Sequence, residues 1–158
     1  REFGLSTQFI ELAGEINTKM PRRIVNRLLE EISLRHKKAL AGSKILLCGL
    51  AYKKNIDDMR ESPSLELIHI LNEHGAIVDY HDPFIPVIPE TREHPEFSGM
   101  ISIPINDDKL KEYDAVIIAT DHSNVDYNMI CSNISLVIDT RNATKHISSK
   151  FSDKIVKA

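Results

Sequence analysis

Residues 49–63 concentrate the side chains that are best suited to binding an anion. Lys53, Lys54 and Arg60 place three cations in this one segment. A guanidinium can bind a phosphate through two parallel N–H bonds, whereas an ammonium acts as a point charge. Pro63 predicts the start of a helix, and the first N–H groups of a helix also attract anions. Together these features are suited to a diphosphate.

Other residues extend this candidate site. Tyr52 offers an aromatic face for stacking, and the acid pair at residues 57–58 can orient the cations or lie at a subunit contact. Arg141 directly follows a predicted strand and can clamp a second phosphate or a carboxylate. A solvated surface loop and an ordinary exposed arginine remain the alternatives. The length of the segment favours a site, because βα turns usually have about two to six residues.

Several familiar motifs are excluded. Only Gly49 stands where G-x-G-x-x-G would be needed, and the segment is not a Walker A loop. The histidines do not cluster in the sequence: His69 and His74 are five apart, and neither H-E-x-x-H nor C-x-x-C occurs, so no metal site is predicted. Residues 121–123 read Asp-His-Ser, but consecutive positions without a nucleophile elbow do not predict a catalytic triad.

A phosphoacceptor receiver domain is a further alternative, because it also combines paired acids with a threonine at a strand end. Such a domain needs its acid pair directly at the end of the first strand and a lysine at the end of the last. Here the pair at residues 57–58 lies well beyond Gly49, and Arg141 stands near the lysine position.

Alternating strand and helix patterns must position these residues. We predict strands at residues 44–49, 76–81, 100–103, 115–120 and 136–139, the last being the final strand, and helices at residues 63–74, 107–112 and 126–131. Residues 83–99 hold four prolines and are predicted to form a long loop. This order predicts an α/β fold with a Rossmann-like, doubly wound parallel sheet. Ligands bind such sheets outside the carboxyl ends of the strands, where the candidate residues lie.

A long helix is predicted before the sheet, over residues 6–39, with Ser6 as its N-cap. Pro21 either kinks this helix or starts a second one, and the unbroken phase of its apolar stripe favours a kink. A helix this long suggests a connector between domains or a dimer contact, with packing along its own domain as the alternative. We therefore divide the chain into residues 1–41 and 42–158. The stripe consists of Phe9, Ala13, Ile16, Met20, Ile24, Leu28 and Ile32.

Composition excludes other classes of protein. The 158 residues include 20 Lys or Arg and 23 Asp or Glu, a net charge of −3, which argues against nucleic acid as the main partner. No apolar run approaches the ~20 residues that span a membrane, and no secretory signal is visible. Cys48 and Cys131 lie in apolar stretches and are expected to be buried, reduced thiols in a cytoplasmic protein. The absence of an initiator Met suggests a fragment.

The segment G-L-A-Y-K-K-N-I-D-D-M-R-E-S-P at residues 49–63 closely resembles the signature of the UDP-glucose/GDP-mannose dehydrogenase family. Within that family the chain looks most like the UDP-N-acetyl-hexosamine 6-dehydrogenases of polysaccharide synthesis. The resemblance extends from about residue 2 to residue 142. Supporting matches are residues 11–17 with Met20-Pro21, and residues 80–83, 119–122 and 138–141.

The resemblance implies an NAD-dependent homodimer that oxidises the C6 alcohol of a UDP-sugar to a carboxylate through a cysteine-bound intermediate. This chain looks like the family's central dimerisation helix and UDP-binding domain, so no catalytic residue is expected in it, and the NAD domain and catalytic cysteine would lie upstream. Tyr52, Lys53 and Arg141 match substrate-binding positions, and Arg60 matches an arginine that reaches NAD. A stand-alone nucleotide-sugar-binding or dimerisation module is the alternative.

Overall fold

A five-stranded parallel sheet with helices on both faces forms the centre of the molecule. The computed structural model describes residues 2–147 and 149–158, with side chains described from residue 10 onward except at residues 17 and 148. The helices are α1 (Glu2–His36), α2 (Ser64–Glu73), α3 (Asp107–Leu110) and α4 (Tyr127–Asn133), and the strands are β1 (Lys44–Cys48), β2 (Ile77–His81), β3 (Ala115–Ile118), β4 (Val137–Asp139) and β5 (Ile155–Lys157). This confirms the predicted Rossmann-like fold.

The strand order β2-β1-β3-β4-β5 determines where a ligand can bind. Every neighbouring pair of strands is parallel. From β1 the chain crosses to β2 on one side, and it later returns to place β3 on the other side of β1. A reversal of this kind opens a crevice at the carboxyl ends of the two central strands, which is where doubly wound proteins bind their ligands. The segment at residues 49–63 leaves β1 at this point.

Alternating residues of the strands build two separate cores. In β1, Ile45 and Leu47 pack toward α1 and α2, whereas Leu46 and Cys48 pack toward α3 and α4. Because successive side chains of a strand point to opposite faces, an uninterrupted apolar run marks a strand that is covered on both sides. Residues 115–118 are likewise fully buried, as the sequence predicted.

The two halves of α1 have different environments. Val25, Leu28 and Ile32 in its C-terminal half are buried in the core that α1 shares with α2. Toward the N-terminus Ile16 of the apolar stripe is 51% exposed, and Ile10 beside the stripe is 69% exposed. The C-terminal half therefore packs along its own domain, while the N-terminal half presents an apolar face. Among the described residues, no helix combines the length and apolar character needed to cross a bilayer.

Three predictions about α1 need correction or refinement. The helix continues through Pro21, so a second helix does not start there. It begins at Glu2, which makes Ser6 an interior residue and the predicted N-cap wrong, since a single serine is tolerated inside a helix at small cost. It ends at His36 rather than near residue 39, because Lys37 takes a left-handed backbone conformation with φ of 52°.

Two predictions about strands are wrong. Residues 100–103 form only an isolated antiparallel bridge between Val87 and Ile101, because Ile103 donates its N–H to the carbonyl of Tyr80 and Pro104 has no N–H to offer. In addition, β4 is not the final strand, since β5 pairs with it in parallel. The predicted loop at residues 83–99 is confirmed, with one short 3₁₀ turn at Pro95–Phe97.

Candidate functional site

The segment at residues 49–63 begins with a close approach between two strand ends. Gly49 has a φ of 90°, and a Cβ at this position would lie 2.5 Å from the Cβ and 2.6 Å from the carbonyl oxygen of Thr120. Only glycine fits this contact without movement of the backbone. The hydroxyl of Thr120 donates to the carbonyl of Ala51 at 2.6 Å, and Ser64 donates to the carbonyl of Gly49 at 3.2 Å. The segment is thus tied to β3 and α2 where it starts.

Asp82, directly after β2, holds the same segment from the other side. Its Oδ2 accepts the N–H groups of Leu50 at 2.7 Å and Ala51 at 3.0 Å. Its Oδ1 accepts the N–H groups of Phe84 at 2.8 Å and Ile85 at 3.1 Å. Burial acts to raise the pKa of Asp82, but these N–H groups hold the pKa below its ordinary value. The buried group is therefore a carboxylate at neutral pH.

His122 completes this anchor. Its ring is fully buried, with Nε2 3.0 Å from Asp82 Oδ2, and its Nδ1 accepts the N–H of Asn55 at 3.0 Å. An acceptor at Nδ1 requires the proton on Nε2, so the ring donates to Asp82. The side chain of Asn55 also exchanges two hydrogen bonds with Ser123. His122 thus holds the loop in place, in agreement with the rejection of a catalytic triad.

Tyr52 and Lys53 stand at the outer part of the anchored segment. Both side chains are exposed, and the ammonium of Lys53 lies 5.4 Å from the centre of the Tyr52 ring. At this distance the cation and the ring attract each other. The pair presents an aromatic face and a positive charge to solvent beside the strand-order reversal, as a nucleotide site requires.

Arg60 is engaged within its own segment. Its Nε and Nη2 donate to the two carboxylate oxygens of Asp58 at 3.0 and 2.8 Å, while its side chain remains 87% exposed. The hydrogen bonds from Arg60 lower the pKa of Asp58 to about 2. Asp58 therefore orients the guanidinium without burying it, which is one of the two roles suggested for the acid pair.

Arg141 lines a cleft of about 600 Å³ at the carboxyl ends of β3, β4 and β5. Asp121 lies between two cations there, 3.9 Å from Nε of Arg141 and 3.6 Å from Nζ of Lys54. Lys54 and Arg141, far apart in sequence, are thereby brought together. Among the described residues, no hydrogen bond or ion pair joins Lys53 or Arg60 to Arg141. The cleft is lined by Asp121, Asp139, Thr140, Arg141, Asn142, Lys157 and Ala158.

Asp139 fixes the turn that carries Arg141. It is buried at the end of β4 and accepts the N–H groups of Arg141 at 3.0 Å, Ala143 at 3.1 Å and Thr144 at 2.9 Å. Lys157 from β5 adds an ion pair at 2.6 Å. Burial acts to raise the pKa of Asp139, but Lys157 and Thr144 hold the pKa below its ordinary value. Asp139 thus has the same task at β4 that Asp82 has after β2.

The two cysteines are buried and unpaired, as expected. Burial raises the pKa of Cys48 to about 12 and that of Cys131 to about 11. Because the thiolate is the reactive form, neither thiol is a ready nucleophile.

The phosphoacceptor alternative finds no support in this geometry. The carboxyl end of β1 carries Gly49 and Leu50 rather than an acid pair, and Asp58 is bound to Arg60 in the distal part of the segment. The buried carboxylate of Asp82 reaches this strand end, but its oxygens are occupied by N–H donors.

Sequence spacing failed to find two further groups of residues. Asp82 follows β2, whereas Thr120 and His122 both follow β3, so only the fold brings Asp82 to the other two. His69 and His94 lie together with Glu96 on the outer side of α2, although spacing along the chain suggested that the histidines do not cluster. Their pairing requires the loop after β2 to fold back onto α2.

Comparison with known proteins identifies the family. Residues 46–146 match the UDP-binding domain of the UDP-glucose/GDP-mannose dehydrogenase family. The chain is 31% identical over 149 residues to a UDP-N-acetyl-D-mannosamine dehydrogenase of Methanococcus maripaludis, covering 89% of this chain and 32% of that protein.

Solved structures agree. A UDP-D-ManNAc dehydrogenase from Pyrococcus horikoshii superposes with a TM-score of 0.72 at 26% identity, covering 94% of this chain and 32% of that one. A UDP-glucose dehydrogenase from Pyrobaculum islandicum gives a TM-score of 0.66 at 29% identity, covering 99% and 34%. The chain spans about a third of the length of these relatives. It belongs to the UDP-glucose/GDP-mannose dehydrogenase family and contains the family's UDP-binding domain.

Proposed function

We propose that this chain is the UDP-sugar-binding part of an NAD-dependent 6-dehydrogenase. The enzyme oxidises the C6 alcohol of a UDP-hexose or UDP-N-acetylhexosamine to a uronic acid, in the cytoplasm, for polysaccharide biosynthesis. The name of the Methanococcus relative supports a UDP-N-acetylhexosamine as substrate. The two buried, reduced thiols agree with a cytoplasmic location.

The observation that carries this proposal is the position of the signature segment. It leaves β1 where the strand order reverses, and Asp82, Thr120 and His122 hold its backbone there. A loop fixed in this way presents its side chains in one arrangement before a ligand arrives, which lowers the entropy lost on binding. The exposed side chains of the segment are then available for recognition.

Each candidate residue has a distinct proposed task. Tyr52 stacks on a flat group of the substrate, Lys53 provides a positive charge for the diphosphate, and Arg141 holds an anionic or polar group of the substrate at the β4 end of the crevice. A separate domain binds most of the NAD molecule, and Arg60 contacts NAD from this chain. The exposed, pre-oriented guanidinium fits this task, since it can meet a diphosphate presented from outside. When bound, NAD supplies the acceptor for the hydride.

The long helix is proposed to have a second role. The division at residue 41 then separates a helix that connects and dimerises, over residues 6–39, from the UDP-sugar domain at residues 42–158. Exposure of Leu12 and Ile16, which are four residues apart and therefore on one face of the N-terminal half of α1, supports this, because uncovered apolar side chains on one face are a typical contact surface.

Calorimetric titration with UDP and with a UDP-N-acetylhexosamine tests the proposal. We expect weak binding by the 158-residue chain and weaker binding after Lys53→Ala. Lys111→Ala is the matched control, because this lysine is also exposed but precedes β3, at the edge of the sheet opposite to the carboxyl ends of the strands. Equal affinity for the wild type and the Lys53 variant would contradict the assigned role.

The chain alone is proposed to be inactive as a dehydrogenase, because both of its thiols are buried and protonated. Purified chain incubated with NAD and a UDP-sugar should form no NADH, and turnover would refute this part of the proposal. A preceding G-x-G-x-x-G strand and a catalytic cysteine motif in the gene would favour the dehydrogenase over a stand-alone module.

A further inference from the structure

A group of histidines and glutamates joins α2 to the loop after β2. His69 lies on α2, and His94 and Glu96 lie at the 3₁₀ turn of the loop. Each of the three side chains offers one possible ligand atom, and these three atoms all lie within 4.8 Å of one another. The group is on the outer face of the molecule and shares no residue with the cleft or the signature segment. The proposed UDP-sugar site therefore leaves it unexplained.

The distances in this group match those of a tetrahedral metal site. Oε1 of Glu96 lies 3.3 Å from Nδ1 of His94 and 3.6 Å from Nδ1 of His69. In a tetrahedral zinc site with ligand bonds of about 2.0–2.1 Å, neighbouring ligand atoms are about 3.3–3.4 Å apart. Two of the three ligand separations therefore already lie within about 0.3 Å of the required value. The set of two imidazoles and one carboxylate is one that zinc uses in proteins.

The opposite nitrogen of each ring faces a second carboxylate. Nε2 of His94 is 3.5 Å from Oε2 of Glu66, and Nε2 of His69 is 3.6 Å from Oε1 of Glu73. A metal-bound histidine usually donates its other N–H to a carboxylate, which fixes the tautomer and makes the ligand more basic. A proton on each Nε2 leaves both Nδ1 lone pairs directed at the region near Glu96. Simple surface ion pairing does not require this division of the two nitrogens.

The position of one of the three ligands is restricted by packing. His94 is largely buried and stacks on Phe97 at a ring distance of 5.7 Å, so its position is restricted. One ligand is thus held by packing, while the two exposed ligands can adjust around it.

We propose that His69, His94 and Glu96 form a binding site for one divalent transition-metal ion, with zinc as its occupant and water as the fourth ligand. Glu66 and Glu73 orient the two imidazoles from outside. The ion cross-links α2 to the loop at residues 83–99, whose backbone is also hydrogen-bonded to Tyr80 of β2 and to Asp82. Zinc binding therefore stabilises the folded chain, because unfolding separates the ligands.

Calorimetric titration of the chelator-treated chain with zinc chloride, without nucleotide, tests the site. We expect one ion per chain and a higher melting temperature in zinc. Replacing zinc by Co²⁺ should give the visible absorption of a tetrahedral site. Glu96→Gln and His69→Ala should abolish the one-to-one binding and the zinc-dependent rise in melting temperature.

Further variants separate this site from adventitious binding. Glu66→Gln and Glu73→Gln should each weaken zinc binding about 10–100-fold, as expected for the outer partners of metal-bound histidines. His74→Ala is the matched control, since His74 is an exposed histidine at the end of the same helix, and its loss should leave the affinity unchanged.

Two results would overturn the proposal: no one-to-one zinc binding by the wild-type chain, or equal binding by the wild type and Glu96→Gln. His94→Ala removes a packed ring and can disturb folding by itself, which is why the two more exposed ligands, His69 and Glu96, carry the test. Far-UV circular dichroism confirms that those variants are folded.

Discussion

Asp82→Asn tests the idea that one buried carboxylate shapes the segment at residues 49–63. The side chain is inaccessible to solvent, and its two oxygens accept four backbone N–H groups and the His122 ring. An amide has only one oxygen. If the amide oxygen takes the place of Oδ2, the hydrogen bonds from Leu50, Ala51 and His122 remain, but the NH₂ group faces the N–H donors of the other two bonds. In the reverse orientation three hydrogen bonds are lost. At least two charge-assisted hydrogen bonds are therefore lost in either orientation.

The expected cost follows from these losses. Hydrogen bonds to a charged group contribute about 1.5–3 kcal/mol each, so two of them correspond to about 3–6 kcal/mol. Burial of a neutral amide costs less than burial of a carboxylate, which places the expected loss near the lower value. A loss of about 3 kcal/mol is large beside a typical unfolding free energy of about 5–15 kcal/mol.

Urea denaturation at pH 7 measures this loss. With a slope of about 2 kcal/mol per molar, a loss of 3 kcal/mol lowers the midpoint by about 1.5 M. Asp108→Asn is the control, because Asp108 is 96% exposed and pairs with Lys111 at the surface. Its midpoint should move by less than about 0.3 M. A shift below about 0.5 M for Asp82→Asn would refute the reasoning.

Three further predictions concern the same strand ends. Gly49→Ala should destabilise the chain by about 2–6 kcal/mol in urea denaturation, because the left-handed backbone is strained and the new methyl group meets Thr120; a loss under about 1 kcal/mol would contradict the close approach. Lys157→Met should cost about 1–3 kcal/mol by the same assay, less than for a fully buried pair because Lys157 is 50% exposed. Asp82 and Asp139 have pKa values below the unfolded value of about 3.9, so their stabilisation is complete above about pH 5 and is lost as pH falls through their folded-state pKa values. The urea midpoint should therefore fall between pH 5 and pH 3, and it should fall less in Asp82→Asn.

Local sequence signals predicted most of the framework. The apolar runs of β1 and β3 and the proline and glycine at the ends of α2 act over a few residues, so they could be interpreted without the fold. The location of the signature segment at the end of β1 followed directly. These elements are found at the predicted positions within one or two residues.

Features that depend on distant partners could not be predicted. β5 has three residues, of which only Val156 is buried, and such a strand shows no periodicity before it pairs with β4. Asp82 and His122 are separated by 40 residues, and each alone is an ordinary polar residue after a strand. His69 and His94 likewise depend on the path of the loop between them.

Asp82 and Asp139 hold main-chain amides of the two loops that carry Tyr52, Lys53 and Arg141, so the backbone shape of these loops and the side chains that they expose are encoded by different residues. Tyr52, Lys53 and Arg141 can then be exchanged while the backbone that presents them stays in place. A library of variants that changes these three positions and keeps both aspartates would vary the proposed nucleotide contacts while the loop backbone stays the same. This separation makes the domain a practical starting point for redirecting sugar-nucleotide selectivity.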